Sequence, residues 1–354
     1  MKILKLHEHT HNEVIQKAVK VLQRGELVVY PTETVYGVGV DATNQKAVDA
    51  LLQYKSRREG KPLSIAVANA SMAAQYAQIN QQASALYKQF LPGPMTVISK
   101  DLGKLADGVA SEFNSIGIRI PDYPLVREIV RDLGTPITAT SANASGKRRP
   151  YTIQHILDNL SEKQKSHISL IIDAGELPRR EPSQVIDTTL SIPVSVRAGS
   201  GLLKSSNTMQ LVSQSEQETM AIAGKIMLQH WNSVSTTGVL IGLEGELGAG
   251  KTIFTKGVAE FLKINETITS PTYSYIEEYP FQRHTTHGML YHIDAWKLQS
   301  RDEVRRLRLA ELLRPKTVVV IEWFSQVVDA MPAPTCIIEV REKDASTRVL
   351  KVTE

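Results

Sequence analysis

Residues 245–252 read Gly-Glu-Leu-Gly-Ala-Gly-Lys-Thr and match the pattern G-x-x-x-x-G-K-T in full. The segment follows an apolar run and precedes a helical pattern, which is the context that a phosphate-binding loop needs. In such a loop the glycines let backbone N–H groups wrap around phosphate, the lysine reaches the outer phosphates and the threonine hydroxyl ligates Mg²⁺. The residues predicted to bind a nucleotide here are Gly245, Gly248, Ala249, Gly250, Lys251 and Thr252.

Two acidic residues end apolar runs farther along the chain. Asp294 ends Leu-Tyr-His-Ile-Asp, and Glu322 ends Val-Val-Val-Ile-Glu. Acids at strand ends beside a phosphate loop are well placed to bind a metal or to orient water. Each of them can also be an exposed acid at a strand end, but two such acids together favour a functional role.

The first half of the chain carries segments that are too polar for a plain core. Pro-Thr-Glu-Thr-Val-Tyr-Gly (31–37) follows an apolar run, and Thr-Ser-Ala-Asn-Ala-Ser-Gly (140–146) ends another. A basic cluster, Lys-Ser-Arg-Arg-Glu-Gly-Lys-Pro-Leu, spans 55–63. Polar groups at strand ends are typical of a ligand cleft, and converging cations predict an anionic ligand such as a triphosphate. The basic cluster can also be a solvated helix end, where cations favour the helix dipole.

The periodicity of apolar residues predicts the elements that must position these segments. In the first half, helices are predicted near 14–22, 45–54, 124–133 and 152–160, with strands at 27–30, 64–68, 95–99, 116–120, 136–140, 168–173, 184–188 and 194–197. In the second half, helices are predicted at 215–230 and 251–262, with strands at 239–244, 273–279, 289–294, 317–322, 335–340 and 348–352. This alternation predicts a mixed α/β fold in both halves, and a nucleotide-binding sheet in the second.

Length, composition and charge limit the classes of protein. A chain of 354 residues favours two domains, and a Gly- and Ser-rich stretch predicts their boundary: domains at 1–200 and 209–354, joined by a linker at 201–208. Lys and Arg outnumber Asp and Glu by 24 to 19 in residues 1–200, whereas the counts are 17 and 18 in residues 201–354. The basic excess permits phosphate or RNA binding by the first half without showing it.

Two further features of the sequence bear on where the protein works. The single cysteine, Cys336, excludes a disulfide within the chain and a four-thiolate zinc site. No apolar run approaches the 18 residues of a membrane span, and the first residues lack a signal-peptide pattern. We therefore expect a cytoplasmic protein that makes no membrane contact.

The second half resembles the small TsaE ATPases of bacterial tRNA threonylcarbamoyladenosine biosynthesis. The resemblance rests on the phosphate loop and on Ser-Pro-Thr-Tyr-Ser-Tyr (270–275), Tyr-His-Ile-Asp-Ala-Trp-Lys-Leu (291–298) and Val-Ile-Glu-Trp (320–323). It implies that the loop binds ATP, that Thr252 and Glu322 bind Mg²⁺, and that Asp294 is a catalytic acid. It also implies a nucleotide-responsive segment at 270–273 and a TsaD–TsaB transferase complex as partner. Lys297 stands where the family usually has arginine, and a longer hairpin loop than usual is expected at 282–288.

The first half resembles the YrdC-like L-threonylcarbamoyladenylate synthases. The resemblance covers about residues 10–200 and rests on Pro-Thr-Glu-Thr-Val-Tyr-Gly-Val-Gly, Lys-Ser-Arg, Lys-Pro-Leu, Pro-Gly-Pro-Met-Thr, Gly-Ile-Arg-Ile-Pro and Thr-Ser-Ala-Asn-Ala-Ser-Gly, in this order. Members are α/β proteins with a wide electropositive cleft. They combine L-threonine, bicarbonate and ATP to give threonylcarbamoyl-AMP and pyrophosphate.

The same resemblance implies roles for individual residues. Arg57 and Lys61 would face the nucleotide phosphates as catalytic residues, assisted by Lys55. The residues that would hold the ATP and adenylate are Arg57, Lys61, Ser115, Ser141, Asn143 and Arg197. The residues that would hold L-threonine are Thr34, Arg119 and Ser183, with Arg119 paired to the carboxylate. Some members have histidine near the threonine where this chain has Ala66. Nothing in these motifs looks like a nucleophile and its base, so catalysis by positioning and charge neutralisation is expected.

Together the resemblances imply one bifunctional protein of tRNA modification. Its fold would be a YrdC-like twisted open sheet with helices and a basic cleft, followed by a P-loop NTPase-like sheet flanked by helices. The ligands implied are L-threonine, bicarbonate, ATP and Mg²⁺, with tRNA reached only indirectly. The alternative is an RNA-binding protein with a regulatory P-loop ATPase switch and no synthase activity. Pyrophosphate release that depends on threonine and bicarbonate distinguishes the two.

Overall fold

The computed structural model describes residues 1–55, 62–143, 148–190, 194–197, 208–271, 275–296, 298 and 301–354. The described chain forms two compact units. Unit 1 contains Met1–Thr189 and the strand Val194–Arg197, and unit 2 contains residues 208–354. Among the described residues, no helix is both long enough and apolar enough to cross a membrane.

Unit 1 is a mixed sheet with helices on its faces. Its strands are β1 (Lys2–Lys5), β2 (Leu27–Tyr30), β3 (Gly37–Gly39), β4 (Ser64–Ala66), β5 (Ala77–Gln78), β6 (Met95–Asp101), β7 (Ser115–Arg119), β8 (Ile137–Ser141), β9 (Ile168–Asp173), β10 (Gln184–Asp187) and β11 (Val194–Arg197). Its helices are α1 (His11–Gln23), α2 (Gln45–Lys55), α3 (Ala70–Tyr76), α4 (Gln81–Phe90), α5 (Pro124–Leu133), α6 (Ile153–Leu157) and α7 (Glu162–His167). The strand order is β1-β9-β2-β3-β8-β4-β7-β6-β10-β11, with β5 paired to β6.

The sheet of unit 1 is buried on both faces, as strand β2 shows. Val28 and Tyr30 point into one core, which α1 and α5 cover, whereas Leu27 and Val29 point into the other. Because successive side chains of a strand point to opposite faces, a strand buried on both faces must be apolar throughout. Charged groups therefore cannot lie in the middle of such a strand, and the ligand cleft was expected at the strand ends.

Unit 2 contains one sheet, and its central parallel strands end at the same edge of that sheet. Its strands are β12 (Thr208–Ser213), β13 (Val239–Glu244), β14 (Ile276–Arg283), β15 (Thr286–Asp294), β16 (Thr317–Glu322), β17 (Cys336–Glu342) and β18 (Arg348–Thr353). Its helices are α8 (Glu216–Val234), α9 (Lys251–Phe261) and α10 (Arg301–Arg306). The order is β12-β18-β17-β13-β16-β15-β14, and β16 runs parallel to both β13 and β15.

Most elements lie where the sequence predicted them. The strands at 27–30, 168–173, 194–197, 239–244 and 317–322 and the helix at 124–133 are confirmed to the residue. The helix predicted at 152–160 is shorter, because the Asn159 side chain donates to the His155 carbonyl and occupies an acceptor that would continue it. Thr208, assigned to the linker, is the first residue of β12, and the rest of the predicted linker lies outside the described residues.

The expectation of a longer loop at 282–288 is wrong. Strands β14 and β15 pair as far as Arg283 and Thr286, so His284 and Thr285 alone form the turn. His284 adopts a positive φ of 52°, the left-handed conformation that tight hairpins need. Arg283 is buried with its guanidinium over the Phe261 ring, at 3.8 Å from its centroid. This contact fixes the end of β14 and leaves no free length for a loop.

Helices α8 and α9 approach closely at Gly257. A Cβ at this position would lie 2.4 Å from the Met220 carbonyl oxygen and 2.5 Å from its Cα, both of them backbone atoms. Neither atom can move without displacing α8. The two helices therefore pack at a distance that only glycine allows.

We predict that Gly257→Ala destabilises unit 2 by about 1–3 kcal/mol through overpacking. The direction of the change in stability is diagnostic, since alanine at an unobstructed helix position would stabilise the protein by about 0.5–1 kcal/mol relative to glycine. Urea unfolding followed by tryptophan fluorescence measures it, because all three tryptophans lie in unit 2. Glu260→Ala, at an exposed position of the same helix, is the control and should change stability by less than about 0.5 kcal/mol. A more stable Gly257→Ala variant would contradict the proposed close packing.

Candidate functional sites

Unit 1 contains a cavity of about 330 Å³ at the ends of several strands. Its lining comes from separate segments: Thr34, Val35, Pro62, Ser64, Thr96, Arg119, Ala139, Thr140, Ser141, Asn143, Arg149, Pro150, Pro182, Ser183 and Val185. Five of the predicted ligand-binding residues are therefore brought together: Thr34, Arg119, Ser141, Asn143 and Ser183. Strand pairing explains why they meet. β4 pairs with both β7 and β8, and β6 pairs with both β7 and β10.

A buried ion pair holds Arg119, one of the two described arginines that line this cavity. The Arg119 Nη2 donates to Glu33 Oε1 at 2.6 Å, and the Glu33 side chain is only 3% exposed. Glu33 lies in the turn after β2, which Thr32 stabilises by donating to the Val35 carbonyl at 2.6 Å. Ala66 is buried and pairs in register with Arg119, so it adds no polar group beside the guanidinium.

Lys55 joins helix α2 to the loop that follows β8. Its ammonium donates to the carbonyl oxygens of Ser141 at 2.8 Å and Asn143 at 2.6 Å. The neighbouring Tyr54 hydroxyl donates to the Ala142 carbonyl. The residue is buried, so these charge-assisted bonds fix the backbone that presents Ser141 and Asn143 to the cavity. This geometry gives Lys55 a positioning role, and its predicted contact with phosphate stays a prediction.

Of the other predicted residues of unit 1, only Ser115 has a described side chain, and it does not line the cavity. Ser115 lies at the far end of β7, about 13 Å along the strand from Arg119, and its hydroxyl is 2.7 Å from that of Ser111. Its adenylate role stays a prediction. Arg57 and Lys61 lie outside the described residues, as does the side chain of Arg197.

Sequence reasoning missed two charged residues of this site. Arg149 lines the cavity and pairs with Glu181 at 3.5 Å, and Glu33 holds Arg119. The basic run at 147–149, directly after the hydroxyl-rich segment, was a usable signal for Arg149. Glu33 carried a weaker signal, an acid inside a segment already singled out, because its partner is 86 residues away.

The phosphate loop of unit 2 has the backbone conformation that its glycines permit. Gly245 and Gly250 have φ of 141° and 111°, and a Cβ on Gly245 would lie 2.2 Å from the Val340 carbonyl oxygen. Lys251 is the first residue of α9 and donates to the carbonyls of Gly245 and Glu246, each at 2.9 Å. Its ammonium also lies 4.0 Å from the Trp323 ring centroid. The lysine therefore lies inside the loop, where the outer phosphates of a nucleotide would be held.

Charge around Lys251 is balanced by nearby acids. Burial lowers the pKa of the Lys251 ammonium, and the negative charges of Glu322, Asp294 and Glu244 oppose that shift. The opposing charges favour the protonated form, which is the form that attracts phosphate.

Strand register brings the two predicted acids beside the loop. Asp294 pairs with Glu322 across β15 and β16, and Glu322 pairs with Leu243, the residue before the end of β13. The Thr252 hydroxyl donates to Glu322 Oε1 at 2.8 Å. The Thr252 hydroxyl and the Glu322 carboxylate lie side by side, and such oxygen ligands suit Mg²⁺, a hard cation. Asp294 accepts from the Ser270 hydroxyl at 2.9 Å, which ties it to the segment predicted to respond to nucleotide.

His292 is a residue of this site that the sequence analysis missed. Its Nε2 lies 2.9 Å from Glu322 Oε1, and the side chain is fully buried. His292 and Asp294 are two residues apart on β15 and so share a face of the sheet. This alternation was the signal that could have found it. His292 and Thr252 together orient the Glu322 carboxylate.

We predict that Lys55→Met loosens the loop after β8 without changing the rest of unit 1. The Ala142 amide, which donates to the Tyr36 carbonyl at 2.9 Å, reports on that loop. Hydrogen bonds to charged groups contribute about 1.5–3 kcal/mol, so exchange of this amide should accelerate roughly 10–100-fold. Hydrogen exchange with mass spectrometry measures it, with Lys46→Met, an exposed lysine of the same helix, as control. Unchanged exchange would show that Lys55 does not hold the loop.

Comparison with known proteins identifies both units. The family model described as "Telomere recombination" (Sua5, YciO and YrdC) matches residues 20–199, and the model for "Threonylcarbamoyl adenosine biosynthesis protein TsaE" matches residues 213–350. A protein of Methanocaldococcus jannaschii named "Putative threonylcarbamoyl-AMP synthase" is 36% identical over 199 residues, which are 56% of this chain and 92% of the relative.

Two further matches are consistent with this. The Bacillus subtilis protein named "Threonylcarbamoyl-AMP synthase" is 34% identical over 192 residues, and the match covers 54% of each chain. A solved structure of a variant of Pyrococcus abyssi Sua5 is 27% identical, with a TM-score of 0.53 over 74% of each chain. The two resemblances derived from the motifs are thereby confirmed. The chain belongs to the Sua5/YciO/YrdC family and carries a TsaE-family unit after it.

Proposed function

We propose that unit 1 is an L-threonylcarbamoyladenylate synthase, which converts L-threonine, bicarbonate and ATP into threonylcarbamoyl-AMP and pyrophosphate. The observation that carries the proposal is the cavity in which Thr34, Arg119, Ser141, Asn143 and Ser183 meet from separate segments. The printed names of relatives that are 36% and 34% identical support the same activity.

The cavity offers the groups that an amino acid and an adenylate need. The Arg119 guanidinium is a fork of N–H donors that matches a carboxylate, so it suits the carboxylate of L-threonine. Thr34 and Ser183 are buried hydroxyls that suit the polar groups of the same substrate. Ser141 and Asn143 lie on the loop that Lys55 holds, and they suit the adenylate.

The proposed chemistry needs no nucleophilic side chain. The amino group of threonine and bicarbonate combine to a carbamate with loss of water. A carbamate oxygen then bonds to the α-phosphorus of ATP while the bond from that phosphorus to the β-bridging oxygen breaks, and pyrophosphate leaves with those electrons. Positioning of the carbamate and neutralisation of the triphosphate supply the acceleration. We assign neutralisation to Arg57 and Lys61, from the basic segment at 56–61 that lies outside the described residues.

We propose that unit 2 hydrolyses ATP and thereby supports the TsaD–TsaB transferase complex. The glycine conformations, the buried Lys251 and the Thr252–Glu322 contact support a nucleotide site. Thr252 and Glu322 would hold Mg²⁺, which when bound neutralises charge on the phosphates. Asp294 lies next to Glu322 in register, and we assign to it the orientation of the attacking water.

We propose that the whole chain is bifunctional, with its domains at 1–200 and 209–354 and a linker between them. The division into two compact units and the separate ranges of the two family matches support these boundaries. Both activities would then belong to threonylcarbamoyladenosine formation on tRNA, for which we propose a cytoplasmic location.

We predict that the purified protein releases pyrophosphate only when L-threonine, bicarbonate and ATP are all present. Arg57→Ala and Lys61→Ala should each reduce the rate roughly 30- to 1,000-fold, since a lost contact to a reacting phosphate costs about 2–4 kcal/mol in the transition state. Coupled pyrophosphate detection and chromatography of the adenylate measure both products. Lys251→Ala removes a phosphate-contacting lysine in the other unit, so it should leave adenylate formation intact. Normal rates in both Arg57→Ala and Lys61→Ala would remove these residues from the site.

We predict that the protein does not modify tRNA by itself. Neither described site has a group that would transfer the threonylcarbamoyl moiety to adenosine. Phosphate contacts from Lys and Arg dominate tRNA affinity, and the second half has 17 such residues against 18 acids, so we expect it to bind tRNA weakly. Reconstitution with tRNA, substrates and purified TsaD–TsaB should yield modified adenosine, with Lys251→Ala limiting the number of turnovers. Modified adenosine in the absence of TsaD–TsaB would overturn this prediction.

A further inference from the structure

The two members of the Glu33–Arg119 ion pair differ in their exposure to the cavity. Arg119 lines the cavity, whereas Glu33 is not among the lining residues and its side chain is 3% exposed. Glu33 therefore reaches the cavity through Arg119. The backbone that carries this carboxylate is held in turn, since the Glu33 carbonyl accepts from Arg180 Nη1 at 3.4 Å.

The contact uses only part of the hydrogen-bonding capacity of each group. An arginine has five N–H donors, and the bond to Glu33 Oε1 runs from Nη2. Within the part of the chain that the structure describes, Arg119 Nε and Glu33 Oε2 have no hydrogen-bond partner. The bond to Glu33 therefore fixes the guanidinium. Since Nε is buried, the N–H groups left for a second carboxylate are those on Nη1 and the second one on Nη2.

We propose that Glu33 is a positioning residue that makes Arg119 selective for the carboxylate of an amino acid over a phosphate. The proposal rests on the synthase function proposed above and names a residue that decides its substrate recognition. Two effects act together, the orientation of the guanidinium and the reduction of its net charge.

Orientation matters because a free arginine side chain has many rotamers. Immobilising such a side chain on binding costs conformational entropy, and the bond to Glu33 imposes that cost during folding. The guanidinium is then held ready before substrate arrives, which favours amino-acid binding.

Charge matters because the same cleft is proposed to hold a triphosphate. An isolated arginine attracts phosphate as readily as carboxylate, and it would compete for the triphosphate or for inorganic phosphate. Glu33 brings the local charge of the pair close to zero, so a dianion gains little there. The attraction of a zwitterionic amino acid falls less, because such a ligand carries no net charge and approaches through a single carboxylate.

Glu33→Gln tests the proposal, because glutamine keeps the size but removes the charge and leaves only a weaker, neutral hydrogen bond to orient the guanidinium. We expect the KM for L-threonine to rise about tenfold, and inorganic phosphate to become a competitive inhibitor against L-threonine. The KM for ATP and the kcat at saturating threonine should change less than about threefold. A variant that only weakened the fold would lower kcat and raise both KM values together. Such a parallel loss, or an unchanged KM for threonine with no phosphate inhibition, would overturn the proposal.

Two further variants make the result specific. Glu26→Gln makes the same substitution in the exposed Arg24–Glu26 pair, so it should leave every parameter unchanged. Glu33→Asp keeps the charge but is one methylene shorter, so the KM for threonine should rise without any phosphate inhibition. If Glu33→Gln does not fold, this variant still tests orientation, and an unchanged KM for threonine would count against the proposal.

Coupling to Arg119 is tested by a double-mutant cycle. If Glu33 acts through Arg119, adding Glu33→Gln to Arg119→Lys should raise the KM for threonine no further than Arg119→Lys alone. Additive effects would mean that Glu33 acts by another route, and they would overturn the proposal.

Direct calorimetric titration with L-threonine separates this proposal from the synthase function. A wild-type protein that binds threonine but makes no adenylate would remove the synthase function. In that case about tenfold weaker threonine binding by Glu33→Gln in the same titration would support the role of Glu33, and unchanged binding would overturn it. A wild-type protein that makes adenylate while Glu33→Gln binds threonine with unchanged affinity would overturn the role of Glu33 alone. Absence of threonine binding in both proteins would overturn both.

Discussion

In both units the chemistry depends on strand register, because a shift of one residue turns every side chain of a strand to the opposite face. Arg119 lines the cavity because β7 pairs with β4 in one register, with Arg119 opposite Ala66. Asp294 and Glu322 lie side by side because β15 and β16 pair in one register. The apolar residues before these ends fix that register, since each must stay in its own core. Packing in the middle of a strand thus decides the geometry at its end.

Once register has brought charged groups to the strand ends, burial decides how they must be paired. A charge removed from water is costly unless a partner and hydrogen bonds replace the water. Lys55 meets two backbone carbonyls, Arg119 meets Glu33, and Lys251 meets two loop carbonyls and an aromatic ring. Each pairing restricts its cation to one orientation. The pairing that stabilises each buried charge therefore also orients that charge for a ligand.

The difference between local sequence pattern and tertiary pairing explains how much of the fold and the sites the sequence could predict. The strand at 27–30 and the phosphate loop were predictable because local patterns determine them. Strand β3, two glycines around one valine, has no apolar pattern to predict it. Glu33 and His292 each carried a signal in the sequence, but their contacts with Arg119 and Glu322 were not predictable, since the partners lie 86 and 30 residues away and only tertiary pairing brings them together. The motifs thus predicted most groups proposed to touch ligand, and the structure was needed for the groups that hold them.

Two nucleotide sites in one chain follow from the different bonds that the proposed reactions break. A phosphate loop wraps its N–H groups around the outer phosphates, which suits cleavage between those phosphates. Adenylate formation instead requires a second substrate to reach the α-phosphorus, so the nucleotide must lie in an open cleft with room beside it. In the cavity of unit 1, the residues proposed to hold the amino acid and those proposed to hold the adenylate line one space. The two proposed reactions therefore call for two sites of different form, one that encloses the outer phosphates and one that leaves the α-phosphorus open to a second substrate.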